Sequence, residues 1–99
     1  MSRYTVEYDP RTESELRRLP VRVRREIARR LDYLSASPFR SHPGILVKAT
    51  AEVHGVWHFH VGRHVRVYYL TEGATLWVVL VERGAGVTHK VIREIRKRI

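Results

Sequence analysis

The run Trp57-His58-Phe59-His60-Val61-Gly62-Arg63-His64-Val65-Arg66-Val67-Tyr68-Tyr69 decides the fold. Trp57, Phe59 and Val61 alternate with His58 and His60. Val65, Val67 and Tyr69 alternate with Arg66 and Tyr68. A period of two marks strands that bury one face. Two such strands keep their apolar faces together only when residues of equal facing are paired. The connection Gly62-Arg63-His64 achieves this. It sets Val61 opposite Val65, His60 opposite Arg66, and His58 opposite Tyr68. Opposed side chains stand about 4.5–5.5 Å apart at their Cβ atoms. His58, His60, Arg66 and Tyr68 therefore share the face turned away from the core set.

Downstream, Glu72-Gly73 reads as a second turn, and Leu76 to Val81 is apolar throughout. Such a strand is central and buried on much of both faces. Thr88 can cap a last helix with the stripe Val91, Ile92, Ile95 and Ile99. Upstream, residues 37–52 read as a loop holding Ser37-Pro38 and His42-Pro43-Gly44, with a short strand at Ile45-Leu46-Val47. Val23, Ile27, Leu31 and Leu34 form one helical stripe that opens at Pro20. The rest of that helix carries Arg22, Arg24, Arg25, Arg29 and Arg30, a solvated face in the plain reading and an RNA or partner contact in the other. Asp9-Pro10 starts a shorter helix through Leu16 and Leu19. Residues 3–8 alternate through Tyr4, Val6 and Tyr8 as a first strand.

The expected class is α+β in one domain, residues 1–99. It consists of an N-terminal strand, an α-helical hairpin, a three-stranded antiparallel meander and a C-terminal helix. Both early helices would pack on one sheet face, leaving the opposite face partly open.

The 99 residues carry a formal net charge of +9 with 43% hydrophobic content. That supports a small core and attracts polyanions, most simply nucleic acid. An acidic protein partner would satisfy the same field. The only lysines are Lys48, Lys90 and Lys97, so most cations are arginines, which suit bidentate phosphate contacts. The absence of cysteine excludes disulfides, thiolate metal sites and a cysteine nucleophile. Met1-Ser2-Arg3-Tyr4 has no signal-peptide character, and no apolar run approaches a membrane span. The cytoplasm is the expected compartment, with no membrane partner.

RNA cleavage by its own 2′-hydroxyl needs a base for the 2′-OH proton, an acid for the leaving 5′-oxygen, and cations for the charged phosphorane. Histidine titrates nearest neutrality. His60 and His89 are candidates for the proton transfers, and Arg66 and Arg83 for charge stabilisation. Arg66 should lower the pKa of a facing histidine and keep it neutral. His89, at the start of the last helix, could reach the same face from the rim, where a helix N-terminus favours phosphate. His58, Tyr68, Arg63, His64 and Lys90 are expected RNA contacts, Tyr68 by base stacking. Each has a plainer reading. His58 and His60 are equally polar residues of a solvated face, Arg66 a partner of Glu52 or Glu82, and His89 a first-turn residue. His54, His58, His60 and His64 do not read as a metal site. No acidic or cysteine ligand accompanies them, and a turn separates His60 from His64.

The chain resembles the RelE/ParE toxin superfamily over nearly its whole length. The resemblance rests on the element order and on three stretches. These are Asp9-Pro10 to Leu34; His54 to Val61 followed by Val65-Arg66-Val67-Tyr68-Tyr69; and Leu80-Val81-Glu82-Arg83-Gly84 leading through Thr88-His89 into the helix. The strand histidine and the Thr-His pair are most similar to the YafQ-like branch. Ile92 and Gly84-Ala85-Gly86 depart from the family pattern. The resemblance implies a RelE-like microbial RNase fold and a type II toxin that cuts mRNA on the ribosome, with no cofactor. It also implies a cognate antitoxin, with operator DNA bound only through that antitoxin. His60 and His89 match histidines used by the YafQ-like branch, and Arg66 matches a phosphate-binding arginine. His58 and His60 stand where RelE proteins carry basic residues. Arg83 lies near a basic C-terminal position. The alternatives are a ParE-like inhibitor of DNA gyrase that cuts nothing, and a non-catalytic RNA-binding domain.

Overall fold

In a computed structural model, which describes residues 3–84 and 86–99, one five-stranded sheet organises the chain. Met1, Ser2 and the Ala85 of Gly84-Ala85-Gly86 lie outside the described residues. The strands are β1 (Thr5–Tyr8), β2 (Val47–Ala49), β3 (Trp57–Val61), β4 (Val65–Glu72) and β5 (Thr75–Arg83). The helices are α1 (Pro10–Arg17), α2 (Val21–Leu34) and α3 (His89–Arg98). The spatial order is β1-β5-β4-β3-β2, with β1 parallel to β5 and the other pairs antiparallel.

Local chemistry sets the ends of the elements. The Asp9 carboxylate accepts from the Arg11 N–H at 2.9 Å, and Pro10 opens α1. Thr88 Oγ1 accepts from the Val91 N–H and caps α3. Gly62 holds a φ of 64° in the β3–β4 turn, a conformation glycine adopts without Cβ strain. The β3–β4 register follows from that turn: Val61 faces Val65, His60 faces Arg66, and His58 faces Tyr68. The short strand expected at Ile45-Leu46-Val47 forms two residues later. There Ile45 instead bridges His42 across the Pro43-Gly44 turn.

Trp57, Phe59, Val61, Val65, Val67 and Tyr69 lie on the hairpin face, in one core with Leu19, Ile27, Leu31, Leu34, Leu76, Val78 and Val81. The opposite face is less open than the sequence suggested. Val91, Ile92 and Ile95 of α3 cover Val56, Tyr68, Val79 and Leu80 there. A bulge in β5 makes this possible. Tyr68 pairs with Leu80 but Tyr69 pairs with Val78, so Val79 is extra and both Val79 and Leu80 turn toward α3.

β1 ends opposite Val78, which leaves the upper edge of β5 without a strand. Side chains complete it. Glu15 accepts from the Val81 N–H at 3.0 Å, and Arg98 donates to the Val79 carbonyl at 3.0 Å. Arg98 and Glu15 also form an ion pair at 2.8 Å that ties α3 to α1. Unpaired edge groups are thereby satisfied from both layers.

Candidate functional site

Two cross-strand rows run over the outer face, the first passing under α3 at Tyr68 and Leu80. Lys48, His58, Tyr68 and Leu80 stand side by side across β2, β3, β4 and β5. His60, Arg66 and Glu82 make the next row. Strand parity puts all of them on one face.

His58 is buried, 7% exposed, and its Nδ1 lies 2.8 Å from Thr50 Oγ1. Its ring centroid is 5.7 Å from that of His60, nearly edge-on, and 5.3 Å from that of Tyr68. His60 is half-buried, and its carbonyl accepts a hydrogen bond from Arg30 of α2, which braces β3 from below. Arg66 is half-buried, and its Nε is buried with no hydrogen-bond partner among the described residues. Glu82 is its cross-strand neighbour, yet the two form no ion pair among the described residues.

Burial lowers the pKa of His58 to about 4, assisted by the charges of His60, Arg66 and Lys48 and opposed by Glu52. Burial also lowers the pKa of His60, with Arg66 and Lys48 adding to the effect. Both imidazoles are therefore neutral at neutral pH. Neutral His60 beside a fixed guanidinium is a proton acceptor next to a phosphate-sized charge.

The other expected site residues are dispersed. His89 is exposed and opens α3, where it lines a hollow of about 350 Å³ with Glu52, Val87, Thr88 and Ile92. Glu52, which lines that hollow, also acts by its charge on His58 and Tyr68. Lys90 lines a neighbouring hollow with Glu82 and Glu94. Arg63 and His64 are exposed in the β3–β4 turn.

Two expectations change. Tyr68 is 0% exposed and belongs to the core under α3, so no base can stack on it. Strand parity puts it on the outer face, and α3 closes over that part of the face. Its hydroxyl is buried without a hydrogen-bond partner among the described residues. Arg83 pairs with Val65, a hairpin-face residue, and lines a hollow with Glu15, Arg18 and Leu19. The structure does not bring it to His60 and Arg66. Sequence reasoning missed Thr50 and Lys48. A β2 register two residues later would have placed Lys48 opposite His58. Among the described residues, no three His, Asp or Glu side chains gather to hold a metal ion. No helix among them is long and apolar enough to cross a membrane.

A five-stranded sheet with a helical hairpin on one face and a capping helix on the other is a fold this chain shares with a solved toxin. The toxin RelE of E. coli, solved as a double mutant in the free state, superposes on this chain with a TM-score of 0.71. The match covers 98% of both chains at 22% sequence identity. No family model matches the sequence, and no curated protein matches it. The likeness to RelE is one of fold.

Proposed function

We propose that this chain is the toxin of a type II toxin–antitoxin pair and cuts mRNA on the ribosome without a metal. The observation that carries this reading is the direct opposition of His60 and Arg66 on a face with His58 alongside. His60 removes the proton from a ribose 2′-hydroxyl. The resulting oxygen attacks the adjacent phosphorus, and the bond to the 5′-oxygen breaks, leaving a 2′,3′-cyclic phosphate. His89, the candidate proton donor, protonates the departing 5′-oxygen once the RNA is bound. Arg66, which no carboxylate neutralises among the described residues, stabilises the charged phosphorane. Arg63, His64 and Lys90 hold flanking phosphates. Arg83 has no part in this scheme because it faces the helical hairpin.

The net charge of +9 fits both RNA and an acidic antitoxin, through which operator DNA would be engaged. Expressing the chain in cells and mapping mRNA ends tests the proposal. Cuts are expected for the native chain. Losing one proton-transfer group is expected to reduce cutting by about 10²–10⁴-fold, in His60→Ala and in His89→Ala. Intact transcripts in growth-arrested cells with damaged DNA would replace this reading with the gyrase-directed one. Binding of RNA without growth arrest would favour the non-catalytic one.

A further inference from the structure

Thr50 sits just beyond β2, is 3% exposed, and has both backbone groups engaged. Its N–H donates to the Val56 carbonyl at 2.8 Å, and its carbonyl accepts from the Val53 N–H at 3.2 Å. The loop is thereby closed on itself. The hydroxyl is left with one hydrogen-bond partner among the described residues, Nδ1 of His58.

We propose that Thr50 is the positioning residue of the patch: its hydroxyl donates to Nδ1 of His58 and fixes the ring with its proton on Nε2. His58 is then a neutral hydrogen-bond donor, and the role of base falls to His60. The choice follows from satisfying both members of the buried pair. Were Nδ1–H to donate to Thr50 Oγ1, the hydroxyl proton would be buried without an acceptor. A buried group left unmade is unfavourable. With the hydroxyl donating, both the O–H and the Nδ1 lone pair are satisfied, and the remaining N–H is on Nε2. The setting holds the ring in that state. Tyr68 flanks it at 5.3 Å and His60 at 5.7 Å. Lys48 stands opposite it across β2–β3. The groups whose charge acts on it are His60, Arg66, Lys48 and Glu52. Burial keeps it uncharged through the neutral range.

The consequence for chemistry rests on the proposed nuclease reading. A neutral N–H on the same sheet face as Arg66 gives a phosphate oxygen a directional donor. It adds no further positive charge next to His60, whose basicity more cation would lower.

The test reads the proton directly and does not depend on cleavage. Two-bond ¹H–¹⁵N spectra of the ¹⁵N-labelled full chain at neutral pH show which imidazole nitrogen of His58 is protonated. The expected result is Nε2–H alone in the native chain, retained in Thr50→Ser. In Thr50→Val a second population with Nδ1–H is expected, because nothing then donates to Nδ1. Nδ1–H in the native chain would overturn the proposal, as would an unchanged tautomer in Thr50→Val. The native spectrum decides even if that variant does not fold. Because no RNA is added, a failure here leaves the nuclease reading standing, and a failure of cleavage leaves this result intact.

Discussion

The two faces of the sheet are built on different terms. The hairpin face is dry and continuous, with Phe59, Val67, Tyr69, Leu76 and Val78 all at 0% exposure against α1 and α2. The α3 face is divided. Val79, Leu80 and Tyr68 lie under Val91, Ile92 and Ile95, while His60, Arg66 and Glu82 remain outside that cover. Both buried orphan groups on the sheet, Arg66 Nε and the Tyr68 hydroxyl, fall on the α3 face. One face stabilises the fold. The other carries, beside its apolar layer, the half-buried Arg66 whose Nε has no hydrogen-bond partner among the described residues.

That contrast can be broken first by cavities. Phe59→Ala is expected to cost about 3–5 kcal/mol. Ile95→Ala, beneath the smaller layer, is expected to cost about 2–4 kcal/mol. Urea unfolding measures both. A larger loss for Ile95→Ala would reverse the ranking of the two layers.

Acid tests the α3 face specifically. The folded pKa of His58 is about 4 against an ordinary 6.5. Between those values the unfolded chain binds more protons, so stability rises with pH. The contribution is present above pH 6.5 and is lost as pH falls through 4. The loss is on the order of 3 kcal/mol, and His58→Gln should remove most of that slope. A native chain whose stability is flat across this window would show that His58 is solvated.

Tyr68→Phe sharpens the comparison more gently. Deleting a buried hydroxyl without a partner is expected to stabilise the fold by about 1 kcal/mol, read as a higher urea midpoint. A loss of stability would mean the hydroxyl has a partner in solution. The smallest effect is expected at His60→Ala, within about 0.5 kcal/mol of the native chain. A loss comparable to Phe59→Ala would make His60 a structural residue.

Much of the hairpin face was legible because strand alternation and a three-residue turn fix register locally. His60 opposite Arg66 followed from Val61 opposite Val65, and the structure has that pairing. The α3 face was less legible because its geometry depends on relations between distant elements. The stripe Val91, Ile92, Ile95 was visible, but nothing local says which sheet residues it covers, so Tyr68 was read as a stacking surface. The bulge at Val79 is hidden inside an all-apolar run, and parity counted through it without correction misplaces Arg83. Thr50 escaped notice because a loop threonine gives no periodic signal. Its role appears only once β2 brings the loop beside His58.

The central claim is that the α3-face patch, and not the arginine-rich hairpin face, grips the phosphodiester. Titrating the ¹⁵N-labelled chain with a short 2′-O-methyl RNA, which cannot be cut, tests this most directly. Shifts are expected at His58, His60 and Arg66 and are expected to vanish in Arg66→Ala. Shifts confined to Arg18, Arg22, Arg25 and Arg83, with the histidine signals unmoved, would contradict the account.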